Sequence, residues 1–245
     1  MKTVLITGAN KSIGYETARQ LLQKGYFVYL GCRDINKGNE AISQLYSEGL
    51  TQVEALEIDV DQIESIEKAR VMLGEKTIIL DVLINNAGIG GAMPQTALET
   101  DLSVVTAVFQ TNFFGVIAVT QAFIDLLKAS PEPRIVNVTS GLGSLTLHND
   151  PSWKYFAVKP TAYVASKAAL NAYTIVLAND LRDTPFKVNA VDPGYTDTDF
   201  NNHSGPGTVP DAAARVVKAA ILTADGPTGQ FFSDDNAPDT GISPW

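Results

Sequence analysis

The sequence predicts an α/β protein built on a doubly wound parallel sheet of Rossmann type, with helices on both faces. Three observations carry that reading. Short apolar runs alternate with longer stretches whose apolar residues recur at helical spacing, the pattern of repeated strand–helix–strand units. The short runs are continuously apolar, as strands covered on both faces are. The chemically unusual residues stand directly after those runs, where a sheet of this kind opens its ligand crevice.

Residues 2–7 (Lys-Thr-Val-Leu-Ile-Thr) form the first strand, broken by Gly8-Ala-Asn-Lys-Ser-Ile-Gly14. A helix follows from about Ser12 to Lys24, with Ile13, Ala18, Leu21 and Leu22 at helical spacing and Gly25 placed to end it. Phe27 to Leu30 is the next strand, and the helix from Ile35 to Glu48 stops at Gly49. Val53 to Ile58 reads as a strand ending at Asp59, and Ile63 to Leu73 as a helix ending at Gly74. The strand Ile78 to Ile84 runs into Asn85-Asn86-Ala87-Gly88. One long helical stretch then spans about Asp101 to Ala129. Arg134 to Val138 is a strand ending at Thr139-Ser140, and a helix runs from Thr161 to about Leu181. Phe186 to Val191 is a strand closed by Asp192-Pro193-Gly194. A helix over Pro210 to Leu222 and a short strand Gln230 to Phe232 complete the series.

At 245 residues the chain fits one domain, residues 1–245, with a substantial core. A net charge of −9 argues against nucleic acid as partner, since its binders need a basic face. It leaves room for an anionic small ligand, which needs only local cations. The single cysteine, Cys32, excludes an intrachain disulfide and fits a cytoplasmic setting. The first apolar run is too short for a signal segment, and no run of apolar residues approaches a membrane span, so no membrane partner is expected. His148 and His203 lack ligand-spaced partners, so no metal site is expected.

The chemistry centres on Thr161-Ala-Tyr-Val-Ala-Ser-Lys-Ala-Ala-Leu170. Tyr163 and Lys167 stand four apart, on one helix face and within reach of one partner. A neighbouring ammonium favours the phenolate, and lowering a phenol pKa by about 2 units takes only about 3 kcal/mol. Such a pair can pass a proton to or from a substrate oxygen. The spacing alone is cheap, and Tyr155-Phe-Ala-Val-Lys159 repeats it. Proline separates the copies. Pro160 pushes Lys159 out of the α region but stands just ahead of the second helix, where proline is tolerated. Gly8 and Gly14 flank a strand-to-helix turn whose small residues admit a pyrophosphate to a helix N-terminus. A P-loop is excluded, because Lys11-Ser12 lacks the glycine required directly before the lysine.

Taken together these residues resemble the short-chain dehydrogenase/reductase family over essentially the whole chain. That family has Thr-Gly-x-x-x-Gly-x-Gly at its first turn; here it is Thr7-Gly8-Ala-Asn10-Lys11-Ser12-Ile13-Gly14, with Ser12 in place of the middle glycine. A slightly altered turn is therefore expected, without loss of binding. Asn85-Asn86-Ala87-Gly88, Asn112, Ser140, Tyr163-x-x-x-Lys167 and Pro193-Gly194 match in type and order. The Ala-Asn-Lys turn and the Arg33-Asp34 pair are similar to carbonyl-reductase-like members.

The resemblance implies hydride transfer between a nicotinamide and a small-molecule carbonyl or alcohol. Tyr163 would be proton donor in reduction and base in oxidation, and Lys167 would hold the nicotinamide ribose and lower the phenol pKa. Ser140 would bind the substrate oxygen, and Asn112 would open its helix locally and anchor a water leading from Lys167. The implied cofactor set is Gly8, Asn10, Lys11, Ser12, Ile13, Gly14, Arg33, Asp59, Val60, Asn86, Ala87, Gly88, Tyr163, Lys167, Pro193, Gly194, Thr196 and Thr198. Cys32 stands where the family's NAD-selecting acid usually does, and Arg33 follows it with a cation suited to phosphate. Lys11 is expected to add charge from the first turn. NADP(H) is therefore favoured, with NAD(H) not excluded.

The stretch of about 145–160 is either a substrate lid or a packed surface loop. Leu145 and His148 there, with Tyr195, are candidate substrate contacts. Its aromatics (Trp153, Tyr155, Phe156) suggest the wall of an apolar pocket, and so bulky or aromatic ketones. Residues of about 196–210 have the composition of a mobile lid, which the family resemblance places over nicotinamide and substrate. Two other functions stay open: an alcohol dehydrogenase working mainly in oxidation, and a non-catalytic dinucleotide-binding regulator. A homodimer or homotetramer is expected through the long helix and the Tyr163 helix. Phe109, Phe113, Phe123, Leu126 and Tyr173 supply apolar surface for it, though some of them must face the sheet, and Trp245 is expected to pack, with a neighbouring subunit one candidate surface.

Overall fold

The computed structural model describes residues 1–245. Its centre is a seven-stranded, wholly parallel sheet in the order β3-β2-β1-β4-β5-β6-β7. The strands are β1 (Thr3–Ile6), β2 (Phe27–Cys32), β3 (Val53–Glu57), β4 (Val82–Asn85), β5 (Arg134–Val138), β6 (Lys187–Val191) and β7 (Phe231–Phe232). The helices are α1 (Ser12–Gln23), α2 (Ile35–Ser47), α3 (Ile63–Gly74), α4 (Leu102–Phe109), α5 (Gly115–Lys128), α6 (Thr161–Asp180) and α7 (Val209–Ala220). They cover both faces and give two cores. One joins Val4, Ile6, Leu30 and Ile84 to α1, α2 and α7; the other joins Leu5, Leu83 and Ile135 to α3 and α5.

The chain winds outward in both directions from β1 and β4, so the strand order reverses between them. A crevice opens there beyond the carboxyl ends of the strands. The turns after β1, β2, β3, β4, β5 and β6 all end at that edge. They carry Gly8, Arg33, Asp59, Asn86, Ser140 and Pro193-Gly194 respectively.

Two elements depart from the sequence reading, and a third takes the form the resemblance implied. The fourth strand begins at Val82, because the preceding residues form a latch. There Asp81 is buried and accepts from the Thr3 amide (2.7 Å) and the Ser130 hydroxyl (2.7 Å), while Ile78 points to solvent. The long helix between β4 and β5 opens at a π turn, Gln110–Phe114, centred on Asn112, as the resemblance implied for that residue. Finally, Leu102–Lys128 is long and apolar enough, by length and composition, to cross a membrane, against the expectation that no stretch would be. Polar residues interrupt it, Gln110-Thr111-Asn112 and Thr120-Gln121 among them, so no unbroken apolar run reveals it. Val116, Val119, Phe123, Leu126 and Leu127 bury one side of it in the fold, and Leu102 and Phe114 stay exposed.

Candidate active site

The first turn is locked to the fourth. The Thr7 hydroxyl accepts from the backbone amides of Asn86 and Ala87 (both 3.0 Å), and the Asn86 side chain donates to the carbonyls of Thr7 (2.9 Å) and Gly8 (3.1 Å). Gly8 is left-handed (φ 63°), and a Cβ there would meet Ala87 Cα at 3.0 Å. At Gly14 a Cβ would fall 2.6 Å from the Gly8 carbonyl and 2.5 Å from the Asn86 amide. These contacts leave the backbone bare at the N-terminus of α1, as a pyrophosphate cradle requires. Ser12, in place of the family's middle glycine, takes a left-handed backbone with φ 53°. A residue with a Cβ is simply held in the left-handed region, at a cost of about 1 kcal/mol.

Around that cradle the other expected cofactor residues divide. Arg33 is exposed at the end of β2 and forms no ion pair with Asp34. That carboxylate instead caps α2, accepting from the amides of Asn36 (3.0 Å) and Lys37 (3.4 Å). Cys32 is buried, its thiol pushed up to about 11 by burial, and presents no charge to the crevice. Lys11 is already engaged, pairing with Asp199 at 2.9 Å. Asp59 accepts from the Asp61 amide, and Val60 is buried above Gly115. Asn10 and Ile13 lie in the first turn, partly exposed. Thr196 and Thr198 are both buried. The Thr196 hydroxyl donates to the Gly194 carbonyl (3.1 Å), and Thr198 caps a one-turn helix, so neither projects a free hydroxyl.

The expected catalytic residues converge. Lys167 is buried and donates to the Val138 carbonyl (2.9 Å); its ammonium lies 5.7 Å from the centre of the Tyr163 ring. Asn112 is fully buried on the π turn. Its amide nitrogen donates to the Ile89 carbonyl (2.9 Å) and the Ser166 hydroxyl (3.0 Å), and its oxygen accepts from the Ile89 amide (2.8 Å). Gly88 lets the two groups approach: a Cβ there would lie 3.3 Å from Asn112 Oδ1 and 3.6 Å from Lys167 Nζ. Ser140 ends β5 beside the Tyr163 phenol.

The electrostatics correct one expectation. Burial pushes the Tyr163 phenol above its usual value; the Ser140 hydroxyl pulls it back and the Asp192 charge raises it further. Burial likewise pushes Lys167 down to about 8, against the opposing effect of Asp192. Desolvation dominates both groups, so the free protein holds a protonated phenol instead of one poised to ionise.

The rival pair Tyr155 and Lys159 is dispersed. The Tyr155 hydroxyl donates to Asp235 (2.8 Å), and the Lys159 ammonium sits over the Phe156 ring (3.7 Å) in a segment without helix. His148 contacts the Leu142 carbonyl (2.9 Å) through Nε2 and meets Trp153 edge-on, so its ring is committed to packing. Trp153 meets Tyr155, which meets Tyr195, and the loop thereby has its own aromatic core. Leu145 is exposed, and the Tyr195 hydroxyl donates to Ser204 (2.7 Å).

The stretch read as a mobile lid carries a capped helical turn, Asp199–Asn201, whose Phe200 ring lies 5.6 Å from the Tyr163 ring. Neither Phe200 nor Gln95 was legible in the sequence. The Gln95 side-chain oxygen accepts from the amides of Ala162 (3.0 Å) and Tyr163 (3.2 Å), capping the catalytic helix from a loop 67 residues away. Trp245 stacks on Phe231 of its own chain, with centroids 5.5 Å apart, and its carbonyl accepts from the Thr146 amide (3.0 Å). Its own chain leaves it partly exposed.

A doubly wound sheet, a glycine cradle at its switch point and a tyrosine with its buried lysine partner beside a serine define a nicotinamide-dependent oxidoreductase site. Residues 2–208 match the model of the short chain dehydrogenase family. The chain is 35% identical to (+)-neomenthol dehydrogenase of Capsicum annuum over 93% of this chain and 94% of that protein. Salutaridine reductase of Papaver somniferum superposes with a TM-score of 0.83 at 30% identity, over 96% of this chain and 100% of that one. The NADPH-bound carbonyl reductase from chicken fatty liver gives 0.85 at 26% identity, over 100% and 99%. The chain belongs to the short-chain dehydrogenase family. It is an NAD(P)-dependent oxidoreductase acting on carbonyl and alcohol groups, and it uses a nicotinamide dinucleotide.

Gly14→Ala tests the cradle. The added methyl has no space between Gly8 and Asn86, so nicotinamide-dinucleotide affinity, read by fluorescence titration, is expected to fall at least about tenfold. Unchanged affinity would place the pyrophosphate elsewhere.

Proposed function

We propose that the protein is an NADPH-preferring reductase of bulky or aromatic ketones. The single observation that carries the reading is the convergence of Tyr163, Lys167, Ser140 and Asn112 at the switch-point crevice, with Lys167 and Asn112 buried beneath the other two. A reduced nicotinamide dinucleotide, its pyrophosphate held at the Gly8–Gly14 cradle, would supply the hydride. Ser140 holds the carbonyl oxygen, and Tyr163 donates the proton to that oxygen as charge develops on it. Lys167, fixed to the Val138 carbonyl, is placed for the ribose hydroxyls. Asn112 fixes the floor under both by tying the Ile89 backbone to Ser166. A phenol held protonated by burial favours working in the reducing direction at neutral pH. The reductase names of several relatives, isopiperitenone and salutaridine among them, support a bulky substrate.

Tyr163→Phe is expected to lower kcat with cyclohexanone and acetophenone by about 10²–10⁴-fold, with cofactor affinity kept. Tyr155→Phe is expected to stay active. A reversed outcome would assign the chemistry to the other tyrosine.

For cofactor choice, Arg33 is the free cation, while Lys11 must first leave Asp199. A charge pair with the ribose phosphate favours NADPH by about 1.5–3 kcal/mol, roughly tenfold or more. Arg33→Ala is expected to erase that preference in kcat/KM. Equal or better efficiency with NADH in the native protein would remove Arg33 from the recognition.

We also propose a homodimer or homotetramer through the outer side of α4, α5 and α6, where Leu102, Phe109, Phe113, Phe114 and Val176 are exposed or half-buried. Of the five apolar residues read from the sequence, Phe123 and Leu126 are ones that face the sheet, buried in the core, and take no part in this face. Light scattering at micromolar concentration is expected to give a multiple of the chain mass; a monomer would defeat the proposal.

A further inference from the structure

Directly after Ser140 the chain makes a single 3-10 turn, Gly141–Gly143. Carbonyls at the end of a helical turn have no partner inside it and must find one elsewhere. Here each of the three meets a different side chain. Asn236, in the loop after β7, donates from Nδ2 to the Gly141 carbonyl (3.2 Å). His148 donates from Nε2 to the Leu142 carbonyl (2.9 Å), which places the proton on that nitrogen. Asn171, one helical turn beyond Lys167 on α6, donates from Nδ2 to the Gly143 carbonyl (3.2 Å).

Glycine at both ends of the turn lets the two amides come this close. A Cβ on Gly141 would stand 3.0 Å from Asn236 Nδ2, and one on Gly143 would stand 2.8 Å from Asn171 Nδ2. Each amide leaves its own oxygen buried with no partner in the protein. Such an oxygen costs about 1–3 kcal/mol, so the side chains are held there for their donors. The three come from separate parts of the fold. Asn236 is tied in turn to Ser243 (3.1 Å), and the His148 ring meets Trp153 at 5.1 Å, which joins the turn to the loop of residues 145–160. At the centre of the turn the Leu142 amide donates to Ser140 Oγ (3.2 Å). A hydroxyl has two acceptor lone pairs and one proton. With the Leu142 amide fixed on one lone pair, the proton is left for an acceptor in the crevice.

We propose that His148, Asn171 and Asn236 are positioning residues for Ser140. By holding the three carbonyls of the turn, they keep the Leu142 amide on Ser140 Oγ and so aim the serine proton at the substrate oxygen. None of the three touches the reacting atoms; each acts through the turn. The proposal rests on Ser140 binding the substrate oxygen. A hydroxyl aimed in advance loses little freedom when the carbonyl arrives, whereas one that swings between acceptors must be ordered at each turnover.

The test is a double-mutant cycle on kcat with NADPH and acetophenone. Ser140→Ala alone is expected to cost about 10²–10³-fold. His148→Phe keeps a ring against Trp153 but removes the donor, and kcat is expected to fall about ten- to a hundredfold with NADPH affinity unchanged. His148→Gln, whose amide nitrogen can reach the same carbonyl, should recover most of that loss. In the Ser140→Ala background, His148→Phe is expected to cost nothing more, because two changes that act through one hydroxyl do not add. Asn236→Leu should repeat the pattern and serves as the second variant if the phenylalanine packs badly. A loss of equal size with and without Ser140 would make the three contacts structural only and overturn the proposal. Native kcat in both His148→Phe and Asn236→Leu would overturn it too, as would failure of both to fold. Ser140→Ala with native kcat would instead overturn the reading of Ser140 itself, whatever the other variants do.

Discussion

The structure depends on the joint between the first and fourth strand ends. Thr7 and Asn86 exchange hydrogen bonds there through both side chain and backbone. Each bond is worth only about 1 kcal/mol net. Their joint effect is geometric, because β1 and β4 are the strands between which the winding reverses. If the joint slackened, the glycine turn would lose its backing at Ala87, and Gly14 would lose the close approach that keeps the cradle shallow. The Asn-Asn-Ala-Gly motif thus acts first as a brace for the cofactor turn and only then as a surface for the cofactor.

A second constraint is desolvation. The crevice is floored by residues that in water would be charged or hydrated: Lys167, Asn112, Asp192 and the phenol of Tyr163. Asn112 is satisfied by the Ile89 backbone and Ser166, and Lys167 by Val138, so polar groups are buried without being orphaned. The π turn serves that purpose by swinging Asn112 onto the loop after β4, which a regular helix would not reach at the same register.

Most of this was legible in the sequence for a physical reason. Parallel strands buried on both faces read as plain apolar runs, and glycine and proline punctuate them. The order of Gly8, Asn86, Asn112, Ser140, Tyr163 and Pro193 follows from the topology, since each stands at a strand end or on a helix packed over one. Proline chemistry at Pro160 separated the two Tyr-x-x-x-Lys copies, as the dispersed contacts of Tyr155 and Lys159 bear out. What stayed hidden is non-local. Nothing near Gln95 tells that it caps α6, and nothing near Phe200 tells that it lies on Tyr163. The raised phenol was missed because spacing reveals a cation but not the water removed from around it. Lys11 looked free because its partner Asp199 is 188 residues away.

The Gln95 contact bears on how such enzymes can be recombined. The segment bearing Tyr163 and Lys167 looks like a portable cassette, yet two of its first backbone amides are satisfied by a glutamine from another part of the chain. Moved alone into a related scaffold, it would arrive with its leading turn frayed, at a loss of about 0.5–2 kcal/mol. The fraying would fall on the turn that aims the phenol. Chimeras cut between residues 95 and 161 would therefore succeed or fail according to what the donor of the upstream half supplies at one position far from the seam.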